Sequence, residues 1–234
     1  MISTDMAEVF SQASIAFDLD GTLVDTAPDL VRALNAVIAP HGLSPIPVAD
    51  VRLMVGRGAG ALIRRAFERH GHPPLSEAAL TEEIARFIEI YNADIAAQSR
   101  PFDQVEPTLI ALREAGAHLS VCTNKPSLLA DSLLKALELD HYFERILGPE
   151  RTRAKKPAAD HVHDALDPSR RFTALIGDSE TDTLAAQAAG VPVILMTYGY
   201  NEKPASSLGA DRLLSRFSEV PLALTQIWAE PDGN

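Results

Sequence analysis

The 234-residue chain has a single cysteine, Cys122, and no run of 18 consecutive apolar residues. One thiol excludes an intramolecular disulfide framework and suits a reducing compartment. Without a long apolar run, no membrane-spanning helix is expected. Residues Met1 to Met6 carry no basic stretch leading into an apolar segment, so no secretory leader is expected and the chain is assigned to the cytoplasm. Positive charge is scarce: 21 Lys and Arg against 32 Asp and Glu give a net charge of −11. A field of that sign repels nucleic acid and anionic membranes, so neither is an expected partner. It repels any small anion too, so an anion site here needs local positive charge from a metal or a lysine. There is no internal repeat and no low-complexity tract.

What the chain does contain is ordinary for a globular protein: 46% hydrophobic and 23% charged residues. Its length fits one domain with a sizeable insertion, or two in tandem. Three short apolar runs each end in polar residues: Ile15 to Phe17 before Asp18, Leu119 to Cys122 before Thr123-Asn124, and Ala174 to Ile176 before Gly177-Asp178. Such runs read as buried strands of a parallel sheet. Val191 to Met196 is a fourth, provided Pro192 stands at its start. Helical spacing fills Thr108 to Ala115, Ser127 to Leu137 and Thr183 to Ala189, with Gly116 and Gly190 as stops. Strands alternating with helices predict an α/β, doubly wound, Rossmann-like parallel sheet, with Asp18, Thr123 and Asp178 gathered at its carboxyl edge.

Residues 27–98 break this rhythm. They predict helices over Pro28 to Ala39, Ala61 to Arg69 and Ser76 to Ala97, the last with Ser76 as N-cap. An all-helical cap domain over 27–98, inserted in a core formed by 1–26 and 99–234, is the expected organisation. Asp25-Thr26 and Arg100-Pro101 would be the hinges. Glu230 to Asn234 is polar and expected to fray.

Chemistry concentrates in four places. Asp18 and Asp20 stand two apart where a strand gives way to a turn at Gly21. Two neighbouring carboxyls divide labour when their surroundings separate their proton affinities, one attacking and one donating a proton. Thr123-Asn124-Lys125 offers hydroxyl, amide and backbone donors for phosphate oxygens. Lys156, just before Pro157, suits neutralising a transferring phosphoryl group. Asp178 at a strand end suits Mg²⁺, and Asp182, four residues on, can reach back as a second ligand or through water.

In order and spacing, these four elements resemble the motifs of the haloacid dehalogenase-like hydrolases, with the helical block in the place of that family's cap. Within it, Thr22 to Leu30, Val55 to Ala59 and Thr197 to Asn201 resemble bacterial phosphoglycolate phosphatases. The resemblance implies a Mg²⁺-dependent phosphomonoester hydrolase acting on a small phosphorylated metabolite, with Asp18 as nucleophile and Asp20 as acid and base. Thr123, Asn124 and Lys156 would hold the phosphoryl oxygens. The Asp18 side chain, the Asp20 carbonyl and the Asp178 side chain would hold the metal. Alternatives are a pyrophosphatase, a sugar-phosphate phosphatase, a phosphomutase or a non-catalytic phosphate-binding module; the quaternary state is expected to be a monomer or homodimer.

Two segments depart from that pattern. Phe102 to Val105 replaces a glycine-containing turn, and Arg151 to Lys156 is unusually basic, with Lys156 rather than Lys155 expected to point inward because proline follows it. In the cap, Gly56-Arg57-Gly58 either joins two helices or meets a substrate carboxylate through Arg57 or backbone N–H groups. Tyr198 and Tyr200 are expected to pack, Cys122 to lie buried in its strand, and His161 and His163 to sit on a solvated face.

Overall fold

The computed structural model describes residues 4–229, so the expectation for Glu230 to Asn234 lies outside the described residues. After helix α1 (Thr4–Phe10) comes β1 (Ala13–Phe17), all five of whose residues are buried. A strand with no polar side takes the centre of a sheet covered on both faces, and β1 does. The other sheet strands are β4 (His118–Cys122), β5 (Arg145–Leu147), β6 (Phe172–Gly177), β7 (Val193–Met196) and β8 (Arg212–Leu214). They pair in the order β5-β4-β1-β6-β7-β8, all parallel.

Alternation along β1 divides the core. Ile15 and Phe17 face a large cluster that includes Leu109 and Leu112 of α6 (Val105–Glu114), Leu133 of α7 (Ser127–Ala136) and Leu224 of α10 (Val220–Ala229). Ala16 faces the other way, onto Val162 of α8 (Ala159–Ala165) and Ala185 of α9 (Glu180–Ala189). Register then sets the site: Phe17 pairs with Val121 on one side and Ile176 on the other. Asp18, Thr123 and Asp178 therefore leave the sheet side by side at its carboxyl edge.

Between β1 and β4 the chain is helical: α2 (Ala27–Ile38), α3 (Val48–Arg52), α4 (Ala59–Arg69) and α5 (Glu77–Ala93). The crossing into and out of this block is a two-stranded antiparallel pair, β2 (Val24–Asp25) with β3 (Arg100–Pro101), at the expected hinge positions. Buried Asp29, in the first turn of α2, clasps the return strand: its Oδ2 accepts from Gln98 N (2.9 Å), Ser99 N (2.7 Å) and Ser99 Oγ (2.7 Å). Burial alone would raise the Asp29 carboxyl, but these hydrogen bonds and Arg32 outweigh it and hold it below 3.8.

Several boundaries move. Ser76 caps α5 through Ala79 N as expected, but the helix ends at Ala93, where Arg32 Nη2 draws the Asp94 carbonyl outward at 2.6 Å. Helix α9 begins at Glu180, earlier than its apolar spacing suggests, because Ser179 and the acidic pair Glu180 and Asp182 favour a helix start. The three-residue edge strands β5 and β8 and the short α3 had no counterpart among the expected elements.

Candidate active site

The turn after β1 makes the site possible. Leu19 O accepts from Leu23 N and Val24 N at 3.1 Å each, which folds Asp18 and Asp20 into one concave face. Gly21 at the bend has φ +93°, and a Cβ there would stand 2.5 Å from Asp178 Oδ2, so only glycine closes this turn. Next to it, Thr22 Oγ1 donates to Asp178 Oδ1 at 2.7 Å. Tyr200 N donates to Asp178 Oδ2 at 2.6 Å, and Tyr200 OH joins Asp25 Oδ1 at 2.5 Å. Both tyrosines are packing residues as expected; Tyr198 OH donates to Thr22 O at 2.8 Å.

Lys156 is the hub. It is 2% exposed, and its ammonium donates to Asp18 Oδ1 at 2.8 Å and Asp182 Oδ1 at 2.6 Å. Lys155 stays exposed, so the inward lysine is the expected one. Asp182 Oδ2 accepts from Asp178 N (3.2 Å), Ser179 N (3.0 Å) and Ser179 Oγ (2.6 Å). Burial would raise Asp182, but Lys156 and the Ser179 donors overcome it and hold the carboxylate ionised.

Asp18 and Asp178 are less well compensated. Burial pushes Asp18 up to about 6, Lys156 only partly offsetting it. Asp178 is raised well above 3.8 by burial and by its neighbours Asp182 and Asp18. Oxygens of Asp18, Asp178 and Asp182 lie within 4.8 Å of one another. Three carboxylates around one ammonium leave two negative charges unbalanced. A hard divalent cation fits that deficit and that all-oxygen donor set.

Thr123 Oγ1 accepts from Lys125 N at 3.2 Å and keeps its own proton to give. Asn124 is differently committed: Nδ2 donates to Gly56 O (3.1 Å) and Lys156 O (3.0 Å), and buried Oδ1 has no partner. The Asn124 side chain therefore ties the α3–α4 loop to the lysine loop. Gly56 and Gly58 line the cavity beside Asp18 and Asp20. Arg57 does not: it is largely exposed, with Nη2 3.9 Å from Glu180 Oε2.

His161 overturns its solvated-face assignment. It is fully buried, its Nδ1 accepting from Lys156 N (3.0 Å) and its Nε2 donating to Leu147 O (3.1 Å). Burial, with Lys156 nearby, lowers it to about 4 and keeps it neutral. Helix α8 places one histidine inward and leaves His163 exposed, a distinction the two-residue spacing alone does not carry. Cys122 is buried as expected, with burial pushing its thiol up to about 12. Tyr91, not singled out from the sequence, meets Lys125 of the Thr123-Asn124-Lys125 element at the site: Lys125 Nζ lies 3.0 Å from both Asp20 Oδ1 and Tyr91 OH. Among the described residues no helix is long and apolar enough to cross a membrane.

The chain belongs to the haloacid dehalogenase-like hydrolases, whose sequence profile matches residues 15–196, from β1 through β7. Within that family it is an enzyme of phosphatase type, similar to phosphoglycolate phosphatases. It is 49% identical over 216 residues to the phosphoglycolate phosphatase of Caulobacter vibrioides, covering 90% of each chain. It is 41% identical over 211 residues to that of Agrobacterium fabrum, covering 89% of this chain and 90% of the relative. The crystal structure of a predicted phosphoglycolate phosphatase from Haemophilus somnus 129pt superposes with a TM-score of 0.83 at 31% identity, covering 92% of this chain and 99% of that one.

Proposed function

We propose that this chain is a Mg²⁺-dependent phosphoglycolate phosphatase of the cytoplasm, working through a phosphorylated Asp18. The observation that carries the reading is the buried contact of Lys156 with Asp18 at 2.8 Å, with Asp178 beside it and Asp20 lining the same cavity as Asp18. Residues 27–98 act as a cap over the core of 1–26 and 99–234, closing on the β2–β3 pair.

The metal would be held by the Asp18 and Asp178 side chains and the Asp20 carbonyl, with Asp182 reaching it through water. When bound, it supplies charge that keeps Asp18 ionised and offsets the phosphoryl oxygens. Asp18 attacks phosphorus as the bond to the leaving oxygen breaks, and Asp20 gives that oxygen its proton. Water then attacks the aspartyl phosphate, returning a proton to Asp20 and freeing Asp18 and phosphate. Throughout, the Thr123 hydroxyl, the Asn124 backbone N–H and Lys156 hold the phosphoryl oxygens, and positioning with electrostatics supplies most of the acceleration.

The test is a panel of phosphate esters, pyrophosphate included, ranked by kcat/KM with and without magnesium. Phosphoglycolate is expected to rank first, chelation to abolish turnover, and Asp18→Asn to lose roughly four orders of magnitude or more. Turnover retained in Asp18→Asn would remove the nucleophile; phosphoglycolate far down the ranking would remove the substrate while leaving the reaction class.

A further inference from the structure

We infer that Lys125, braced by Tyr91 of the cap, is the anchor for the substrate's carboxylate; this rests on the phosphoglycolate reading above and assigns the residue that enforces it. Among the described residues lining the cavity next to Asp18 and Asp20, Lys125 is the sole cation. The leaving-group side of that cavity is otherwise apolar, formed by Leu30, Val55, Leu62, Phe87 and Leu129. A polyhydroxylated sugar entering it would leave several hydroxyls unpaired, which a buried site penalises heavily. A short leaving group with one anionic end meets apolar walls and a single positive charge.

The donor count agrees. An ammonium has three N–H groups. Lys125 spends one on Asp20 Oδ1 and one on Tyr91 OH, each at 3.0 Å, and the third has no acceptor among the described residues. The side chain is 3% exposed, so water does not freely satisfy it. Tyr91 fixes the ammonium from the cap side, with the charge 4.4 Å from its ring centroid. Tyr91 in turn stacks on Phe87, one of the cavity walls, at 5.8 Å between centroids.

Reach also fits. If Asp20 hands its proton to the leaving oxygen over about 3 Å, that oxygen lies within roughly 6–8 Å of the Lys125 ammonium, depending on which carboxyl oxygen delivers it. A single methylene followed by a carboxylate, with an ion-pair contact of about 3 Å, spans that gap. The anchor is half core and half cap: Lys125 follows β4 and Tyr91 lies on α5. A carboxylate bound there therefore joins the two parts of the molecule.

The experiment compares kcat/KM for 2-phosphoglycolate with that for 2-hydroxyethyl phosphate, its uncharged counterpart, in wild type, Lys125→Met, Lys125→Arg and Tyr91→Phe. Because both esters use the same phosphoryl site, their ratio cancels any effect on Asp20 or on the amount of folded enzyme. Wild type is expected to favour the carboxylate ester, and Lys125→Met to lower that ratio roughly 30-fold or more. Lys125→Arg should restore part of it, and Tyr91→Phe should lower it about threefold or more. Glycolate, binding without chemistry, should inhibit Lys125→Met more weakly than wild type. Equal loss for both esters in Lys125→Met would overturn this inference alone, as would an unmoved ratio in Tyr91→Phe should the lysine variant fail to fold. A wild type indifferent to the carboxylate would overturn both this inference and the substrate reading.

Discussion

Asp18 and Asp178 are buried acids with too little positive charge around them, and in the metal-free protein both resist ionisation. An acid whose carboxyl is raised on folding binds more protons folded than unfolded, so it lowers stability as pH rises through its window. Asp178→Asn removes that burden. The metal-free variant is expected to be more stable than metal-free wild type by about 1–3 kcal/mol near neutral pH. The gap should close as pH falls towards 4, since a protonated aspartic acid and an asparagine carry the same charge. Denaturant titrations across pH measure this; a variant less stable at every pH would contradict it. His161 makes a different residue-scale prediction. Replacing it with leucine strands Lys156 N and Leu147 O, and kcat is expected to fall about 10- to 100-fold as the lysine loosens. An unchanged kcat would show that the imidazole only fills space. Asp18, Asp20, Lys156, Asp178 and Asp182 were legible in the sequence because each sits at the end of an apolar run or in a short spaced motif. Tyr91 was not, and Lys125 and His161 were named without the contacts they make, because those depend on partners 105, 34 and 5 residues away that the fold brings near.

At the scale of elements, buried strands announced themselves and edges did not. β1, β4, β6 and β7 are nearly continuous apolar runs, as strands covered on both faces must be. β5 and β8 are three residues long and each begins with arginine, so neither periodicity nor composition marks them. The helical block was legible through its spacing, apart from α3, whose five residues are too few to show a period. The turn before α6 explains one departure from the family pattern. Gln104, where a glycine-containing turn is usual, has φ +63° and serves as the N-cap of α6. A side chain in the left-handed region costs about 1 kcal/mol, and this one is exposed with little to lose. Gln104→Gly is expected to leave stability unchanged or raise it by up to about 1 kcal/mol, read from the denaturation midpoint. A clear loss would mean that the glutamine's contacts outweigh its backbone strain.

Across the whole molecule, the parallel-sheet part and the helical block of α2 to α5 are tied at several separate points. Asn124 bonds the Gly56 carbonyl, Lys125 bonds Tyr91, Arg52 pairs with Asp25 at 2.7 Å, and Arg65 pairs with Glu202. The exposed pairs each contribute little, so the junction depends on the buried ones. A net charge of −11 surrounds a site whose cations, Lys125 and Lys156, are both buried and both already paired with carboxylates. In the proposed mechanism, catalysis turns on Asp18 becoming an ionised nucleophile. The most direct measurement uses Asp20→Ala with an aryl phosphate, whose leaving group needs no proton, in the presence of magnesium. After a rapid acid quench, peptide mapping should find one phosphoryl group on Asp18, convertible to homoserine by borohydride. Release of the aryl alcohol with no phosphoryl group on Asp18, or with one on another residue, would contradict the account.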